Sequence, residues 1–396
     1  MNSPVIETQS TSLLKRLDEF GQAVWLDFLD RSFLAEGGLK RLIEEDGTTG
    51  VTSNPSIFEK AMGHGEAYDA GFTALLSRGD AGIQQLYEDA AIADIRHAAD
   101  DLRAVYDRLD GRDGYASIEV APYIANNSAE TIAEARRLWR AIDCPNLMIK
   151  VPGTEAGVPA VRQLVEDGLN INITLLFSID AYRAVREAFI AGLEARLAKG
   201  EAIDRVASVA SFFVSRIDTQ IDKKIDTRVK QDDTTSARLN ALRGKVAIAN
   251  AKIAYADYQK AIASARWQVL ATKGAMPQRL LWASTGTKDP AYSDTLYVDT
   301  LIGPDTINTM PFKTMGAFRD HGTLRQTLTE DVDEARRVLT EAEQLGLDLA
   351  GVTRALVDDG VSQFAGAANT LFAAIAEKRT QLLGDRQNAM AETSPE

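Results

Sequence analysis

Cysteine is almost absent. Cys144 stands alone in 396 residues, so no internal disulfide framework is open to the chain and a reducing, cytoplasmic setting is expected. Histidine is nearly as scarce: His64, His97 and His321 sit outside any pairwise ligand spacing, which leaves a histidine-based zinc site or a Ser/His/Asp triad little material. Each is expected to be a surface or packing residue, and no metal site is expected. An excess of positive charge is missing too. Asp and Glu outnumber Lys and Arg by 57 to 44, for a formal charge of -13, and no Lys/Arg-rich block appears, which argues against a nucleic-acid partner. A small phosphorylated ligand stays open, because a few placed cations hold a phosphate inside an acidic protein. No apolar run approaches the roughly 18 residues of a membrane-spanning helix, and the first thirty residues lack a secretory pattern, so no membrane association is expected. Homo-oligomer formation is not legible.

What is present is a rhythm. Short apolar runs at 23–29, 49–52, 115–120, 147–151, 171–177, 206–214, 280–284 and 306–310 alternate with longer amphipathic stretches. Val158, Val161, Leu164 and Val165 share one helical face, for example, with Gly168 placed to end that helix. Strand then helix, eight times over, specifies a parallel sheet, and the count fits a closed (β/α)8 TIM barrel in the α/β class. A doubly wound open sheet competes. The barrel is preferred because polar residues recur near the C-terminal ends of the runs, where a barrel gathers its site. Outside the repeat lie an N-terminal helical extension over 1–22, a helical insertion over 218–270 whose charged first part reads as a solvated face, and a tail over 385–396 expected to be disordered. The barrel then spans 23–384.

Within the fourth run stands Lys150, an ammonium in a segment that otherwise reads as a buried strand. Such a group pairs with an acid or sheds its proton, and a neutral amine attacks carbonyl carbon to form a Schiff base. The alternative is a lysine that ends the strand and snorkels to solvent. Asp27 interrupts another apolar run and reads equally as a general acid/base or a satisfied core polar group, with Asp30 its rival. Glu119, between Ile118 and Val120, needs a partner, and Lys150 on the next strand is a candidate. Asn54 reads first as a helix cap before Pro55. Asn170, Asn172 and Thr174 alternate onto one face of the fifth strand, while Ser208, Ser211, Ser215 and Arg216 are placed at the end of the sixth. Ser284-Thr-Gly-Thr-Lys288 follows the seventh; hydroxyls, a glycine and a cation there suit a phosphate, and an ordinary capping loop equally.

Four motifs in order, Gly50-Val-Thr-Ser-Asn-Pro-Ser-Ile57, Ile149-Lys-Val-Pro-Gly-Thr154, Gly168-Leu-Asn-Ile-Asn-Ile-Thr-Leu-Leu-Phe-Ser178 and Ala210-Ser-Phe-Phe-Val-Ser-Arg216, resemble those of the transaldolases. The resemblance implies a cofactor-free class I aldol transfer in the pentose phosphate pathway. A dihydroxyacetone unit would move from sedoheptulose 7-phosphate to glyceraldehyde 3-phosphate, giving erythrose 4-phosphate and fructose 6-phosphate. It also implies roles. Lys150 is similar to the Schiff-base lysine, Asp27 to the acid/base, and Glu119 with Thr174 to the pair that holds a catalytic water. Asn54, Asn172, Ser211 and Phe213 match the substrate-binding set, and Arg216 the phosphate-binding arginine. The chain departs from the pattern after the seventh strand, where Ser284 and Lys288 stand in for a serine followed by a second arginine.

Overall fold

The computed structural model describes residues 11–63, 65–230 and 234–392. Eight short strands form one closed parallel barrel in sequence order: β1 (Gln22–Leu26), β2 (Thr48–Thr52), β3 (Tyr115–Glu119), β4 (Leu147–Pro152), β5 (Ile171–Leu176), β6 (Ser208–Phe213), β7 (Arg279–Ala283) and β8 (Thr306–Met310), with β8 pairing back onto β1. The open-sheet alternative is thereby excluded. Strands buried on both faces favour largely apolar runs, which is why most of these were visible as runs. β1 ends at Leu26, short of the expected Leu29, because Asp30 turns the chain into the next helix by accepting the Phe33 backbone N–H at 3.0 Å. Asp30 is a helix cap, and Asp27 lies just past the strand.

Helices cover the barrel through their apolar stripes. The helix Gly157–Glu166 buries Ala160, Val161, Leu164 and Val165, and Gly168 leaves it at φ 90°, a conformation glycine adopts without strain. At the N-terminus the described part of the extension is a short 3-10 helix, Lys15–Phe20, against β1; residues 1–10 lie outside the described residues. Between β6 and β7 run four helices, Ser215–Val229, Ser236–Asn240, Val246–Ile262 and Ala265–Ala271. Val246–Ile262 packs on β7 and on the helices Ile179–Ala198 and Val332–Gln344, so this stretch supplies the covering layer between those strands. Its charged beginning is not wholly a solvated face. Asp218 and Asp222 are buried, accepting the hydroxyls of Tyr297 at 3.0 Å and Tyr292 at 2.7 Å from the segment between β7 and β8.

The last helix, Leu349–Glu392, buries Val352, Leu356, Phe364, Ala368, Leu371 and Ile375 along one stripe and packs against β5 and the helices Pro55–Gly63, Ile83–Arg108 and Ser215–Val229. Its backbone continues to Glu392, into the stretch expected to be without structure; 393–396 lie outside the described residues. Two polar strand residues belong to the far end of the barrel. Asn170 donates to Pro145 O and Leu147 O at 3.1 and 3.0 Å, and Ser208, which opens β6, donates to Ile171 O at 2.9 Å. Ser208 was expected among the groups closing the sixth strand, a correction of one strand length. Among the described residues no helix is long and apolar enough to cross a membrane.

Candidate active site

Parallel register aligns three side chains in one layer near the C-terminal mouth: Glu119 on β3 faces Lys150 on β4, which faces Asn172 on β5. Lys150 is 5% exposed. Its Nζ donates to Ser53 O at 3.2 Å, lies 3.3 Å from Glu119 Oε2, and sits 5.9 Å from the ring centroid of Phe364 on the last helix. Snorkelling is ruled out by that burial. Glu119 has an ion-pair distance to Lys150 but no well-aligned hydrogen bond on either carboxylate oxygen. Burial pushes its carboxyl above the usual range, Lys150 pulls it back, and Asp27 adds a further push upward.

Asp27 is half-buried at the end of β1, anchored by its N–H to Met310 O at 2.9 Å, and its Oδ1 accepts the Thr52 hydroxyl at 2.7 Å. Thr52 also shares a 2.9 Å contact with Thr309. The Asn172 amide is held on both sides: Ser211 donates to its Oδ1 at 2.7 Å and its Nδ2 donates to Ser117 Oγ at 3.2 Å. Thr174 is fully buried, and its hydroxyl has no hydrogen-bond partner among the described residues. Directly after it, Leu175 is held at φ 59° beside a register shift between β5 and β6. A branched residue there is strained, and the kink re-aims the end of the strand. Asn54 accepts the Ile57 N–H at 3.0 Å, so the capping reading of that loop holds, and it lines a cleft that runs past Glu119.

A cationic end lies beside this cluster. Arg216 stands in the first turn of the helix Ser215–Val229, half-buried, 5.3 Å from the centroid of the Phe213 ring, with Nη1 unpartnered. Burial lowers its proton affinity from the ordinary guanidinium value, against the nearby charges of Asp359 and Asp27. A guanidinium with a free edge at a helix N-terminus is suited to an anion. The hydroxyls of Ser215 and Ser284 meet at 2.9 Å, with Ser284 at φ 56°. Lys288 is different: it is exposed and makes no ion pair among the described residues.

Sequence reasoning passed over several groups of this cluster. Ser117 holds the Asn172 amide, and buried Asn308, which accepts the Thr285 hydroxyl at 2.9 Å, leaves its Nδ2 unpartnered. Both are polar residues inside apolar runs, the signal that singled out Glu119. Phe364 and Asp359 on the last helix carried no such signal, since a phenylalanine in an amphipathic stripe reads as core. His97 and His321 lie at the surface beside carboxylates, and His64 lies outside the described residues. Among the described residues no cluster of three or more His, Cys, Asp or Glu is arranged to hold a metal ion.

Comparison with known proteins covers almost the whole barrel. The family model for transaldolase/fructose-6-phosphate aldolase matches residues 24–375. The chain is similar to Transaldolase 2 of a Nostoc species, 48% identical over 356 residues, covering 89% of this chain and 93% of that protein. It is 45% identical over 368 residues to the transaldolase of Thermobifida fusca, covering 93% and 98%, and 46% identical over 364 residues to that of Thiobacillus denitrificans, covering 92% and 99%.

Proposed function

The chain belongs to the transaldolase/fructose-6-phosphate aldolase family, as a transaldolase, and we propose that it moves a dihydroxyacetone unit between phosphorylated sugars through a Schiff base on Lys150. The proposed donor is sedoheptulose 7-phosphate and the acceptor glyceraldehyde 3-phosphate, within the pentose phosphate pathway. The single observation that carries the mechanism is the buried Lys150 amine, 3.3 Å from a carboxylate with no other partner.

Each residue type then has a task. The free amine of Lys150 adds to the ketose carbonyl carbon, and the carbonyl oxygen leaves as water, giving an iminium. Glu119 beside it and the Thr174 hydroxyl, neither holding a hydrogen bond among the described residues, position that water and its proton traffic. Asp27 takes the proton of the C4 hydroxyl as the C3–C4 bond breaks, its electron pair flowing into the iminium to leave an enamine. The aldehyde product departs, the enamine carbon attacks the incoming aldehyde, and Asp27 returns a proton to the new alkoxide. Water then hydrolyses the iminium and frees Lys150. Asn54, Asn172 and Ser211 bind hydroxyls of the three-carbon unit, with Phe213 as an apolar wall. Arg216 binds the distal phosphate, assisted by Ser284 through its contact with Ser215. Lys288 is retained only as a peripheral cation at the phosphate end. No cofactor enters, and the scarcity of cysteine supports a cytoplasmic location.

Borohydride reduction in the presence of fructose 6-phosphate, followed by peptide mapping, tests this reading. The expected result is a reduced dihydroxyacetone or hexose adduct on Lys150 and none in Lys150→Arg, whose guanidinium cannot act as the amine. Turnover by an enzyme that carries no adduct at Lys150 would defeat the mechanism.

A further inference from the structure

Nζ of Lys150 meets Ser53 O and Glu119 Oε2, and the Phe364 ring, 5% exposed, stands with its centroid 5.9 Å away. That ring comes from outside the barrel, on the helix Leu349–Glu392. Its helix is closely seated. One turn before Phe364 comes Gly360, where an added Cβ would lie 2.7 Å from Cδ2 of the kinked, buried Leu175 at the end of β5. Beyond it, Tyr123 donates its hydroxyl to Asn369 at 2.7 Å, and Lys378 and Arg379 tie the helix to Asp69 and Asp80. A glycine that admits a close approach on one side and anchors on the other fix where the aromatic ring stands.

Resting on the Schiff-base reading, we propose that Phe364 is a specificity-determining residue that sets how the lysine-bound three-carbon enamine divides between transfer and release. The two fates differ in the electrophile that the enamine carbon meets. In transfer the nucleophilic carbon forms a bond to the acceptor's carbonyl carbon, and the acceptor oxygen takes a proton from Asp27. In release the same carbon takes a proton from a water molecule, the hydroxide left adds to the resulting iminium, and the carbinolamine collapses to free dihydroxyacetone and the regenerated amine. An apolar ring over the nitrogen withholds water from that face and leaves the enamine waiting for an aldehyde. Its π face also favours the cationic iminium on either side of the enamine. The residue so assigned is not in the polar cluster and comes from the covering helix.

The test is a ratio. Dihydroxyacetone release from fructose 6-phosphate alone is compared with sedoheptulose 7-phosphate formation when erythrose 4-phosphate is added, for the unaltered enzyme, Phe364→Ala and Phe364→Leu. Removing the ring raises release over transfer roughly tenfold, with the borohydride-trapped adduct on Lys150 retained, and Phe364→Leu falls between. A folded Phe364→Ala in which both rates drop together and the ratio stays within about twofold overturns the proposal, because a packing role alone slows both. If Phe364→Ala does not fold, Phe364→Leu reads the same ratio against the same threshold. A failed Schiff-base reading is told apart by the unaltered enzyme, which would then turn over with no adduct to divide.

Discussion

The barrel buries two cation–carboxylate pairs, one at each end, and they are built differently. At the N-terminal end Arg279 Nη1 meets Asp113 Oδ2 at 3.1 Å, while Asp113 Oδ1 also accepts from Trp25 Nε1 at 2.8 Å and Gly114 N at 3.0 Å, and Arg279 Nη2 donates to Arg112 O at 2.9 Å. At the mouth Lys150 and Glu119 stand 3.3 Å apart, with neither carboxylate oxygen in an aligned hydrogen bond. Side-chain exposures are alike, 10% and 4% against 6% and 3%, so burial does not explain the contrast. The completeness of the hydrogen bonding does. A fully satisfied pair is a fixed structural strut, whereas unfilled acceptors beside an amine leave room for a substrate. The choice of cation fits as well: a guanidinium holds its proton permanently, and an amine can give its proton up.

Substitution sharpens the contrast most at these pairs. Lys150→Met abolishes turnover and the trapped adduct while the protein still folds. Asp113→Leu leaves a permanently charged guanidinium and the Trp25 N–H without their acceptor, and costs about 3–5 kcal/mol of stability. Glu119→Leu removes a carboxylate with no aligned hydrogen bond, so it strands fewer donors, and it costs under about 2 kcal/mol. Urea unfolding midpoints compare the two; a Glu119→Leu loss as large as that of Asp113→Leu would break the distinction.

The sequence disclosed these ends unequally. Lys150, Glu119 and Asp27 are lone charges inside apolar runs, and a period of strand then helix is enough to bring run ends together, so the mouth could be assembled before any coordinates. Asp113 sits in Gly111-Arg-Asp-Gly114, which reads as a turn, and its partner lies 166 residues away at the first position of β7. No local pattern connects them. Ser208 was misplaced for a related reason: alternation tells which side of a strand a residue faces but not which end of the barrel it is near. The last helix was not singled out in the sequence, and its approach to Lys150 depends on the fit of Gly360 against Leu175, which is a tertiary matter.

Asp218 is a third kind of buried acid, a carboxyl group that has no cationic partner among the described residues. It accepts from Ala247 N at 2.8 Å and from the Tyr297 hydroxyl, and burial, reinforced by Asp222, pushes its carboxyl up from 3.8 to about 7. The sign follows from linkage. Between about pH 4 and pH 7 the folded chain holds a proton that the unfolded chain has released, so stability falls as pH rises through that window and levels off above it. Asp218→Asn has no proton to lose. It flattens that part of the stability–pH curve and is more stable than the unaltered protein at pH 8 by on the order of 2 kcal/mol, below the roughly 4 kcal/mol that three undamped pKa units would imply. Thermal unfolding across pH 4–8 measures it, and parallel curves for the two proteins would sink the assignment.

The smallest effect is expected at Lys288, and it returns to the contrast between a partly buried cation and an exposed one. Arg216 is desolvated, stacked near Phe213 and fixed at a helix N-terminus, so each hydrogen bond it donates to a phosphate is strong. Lys288 stands in solvent with no ion pair among the described residues, where salt screens its charge and a flexible side chain must be ordered before it helps. Lys288→Ala therefore raises KM for the phosphorylated acceptor by less than about twofold at physiological ionic strength, and by somewhat more at low salt. A tenfold rise that salt does not diminish would mean that the loop 284–288 folds inward on the substrate and that Lys288 serves as a second buried phosphate ligand.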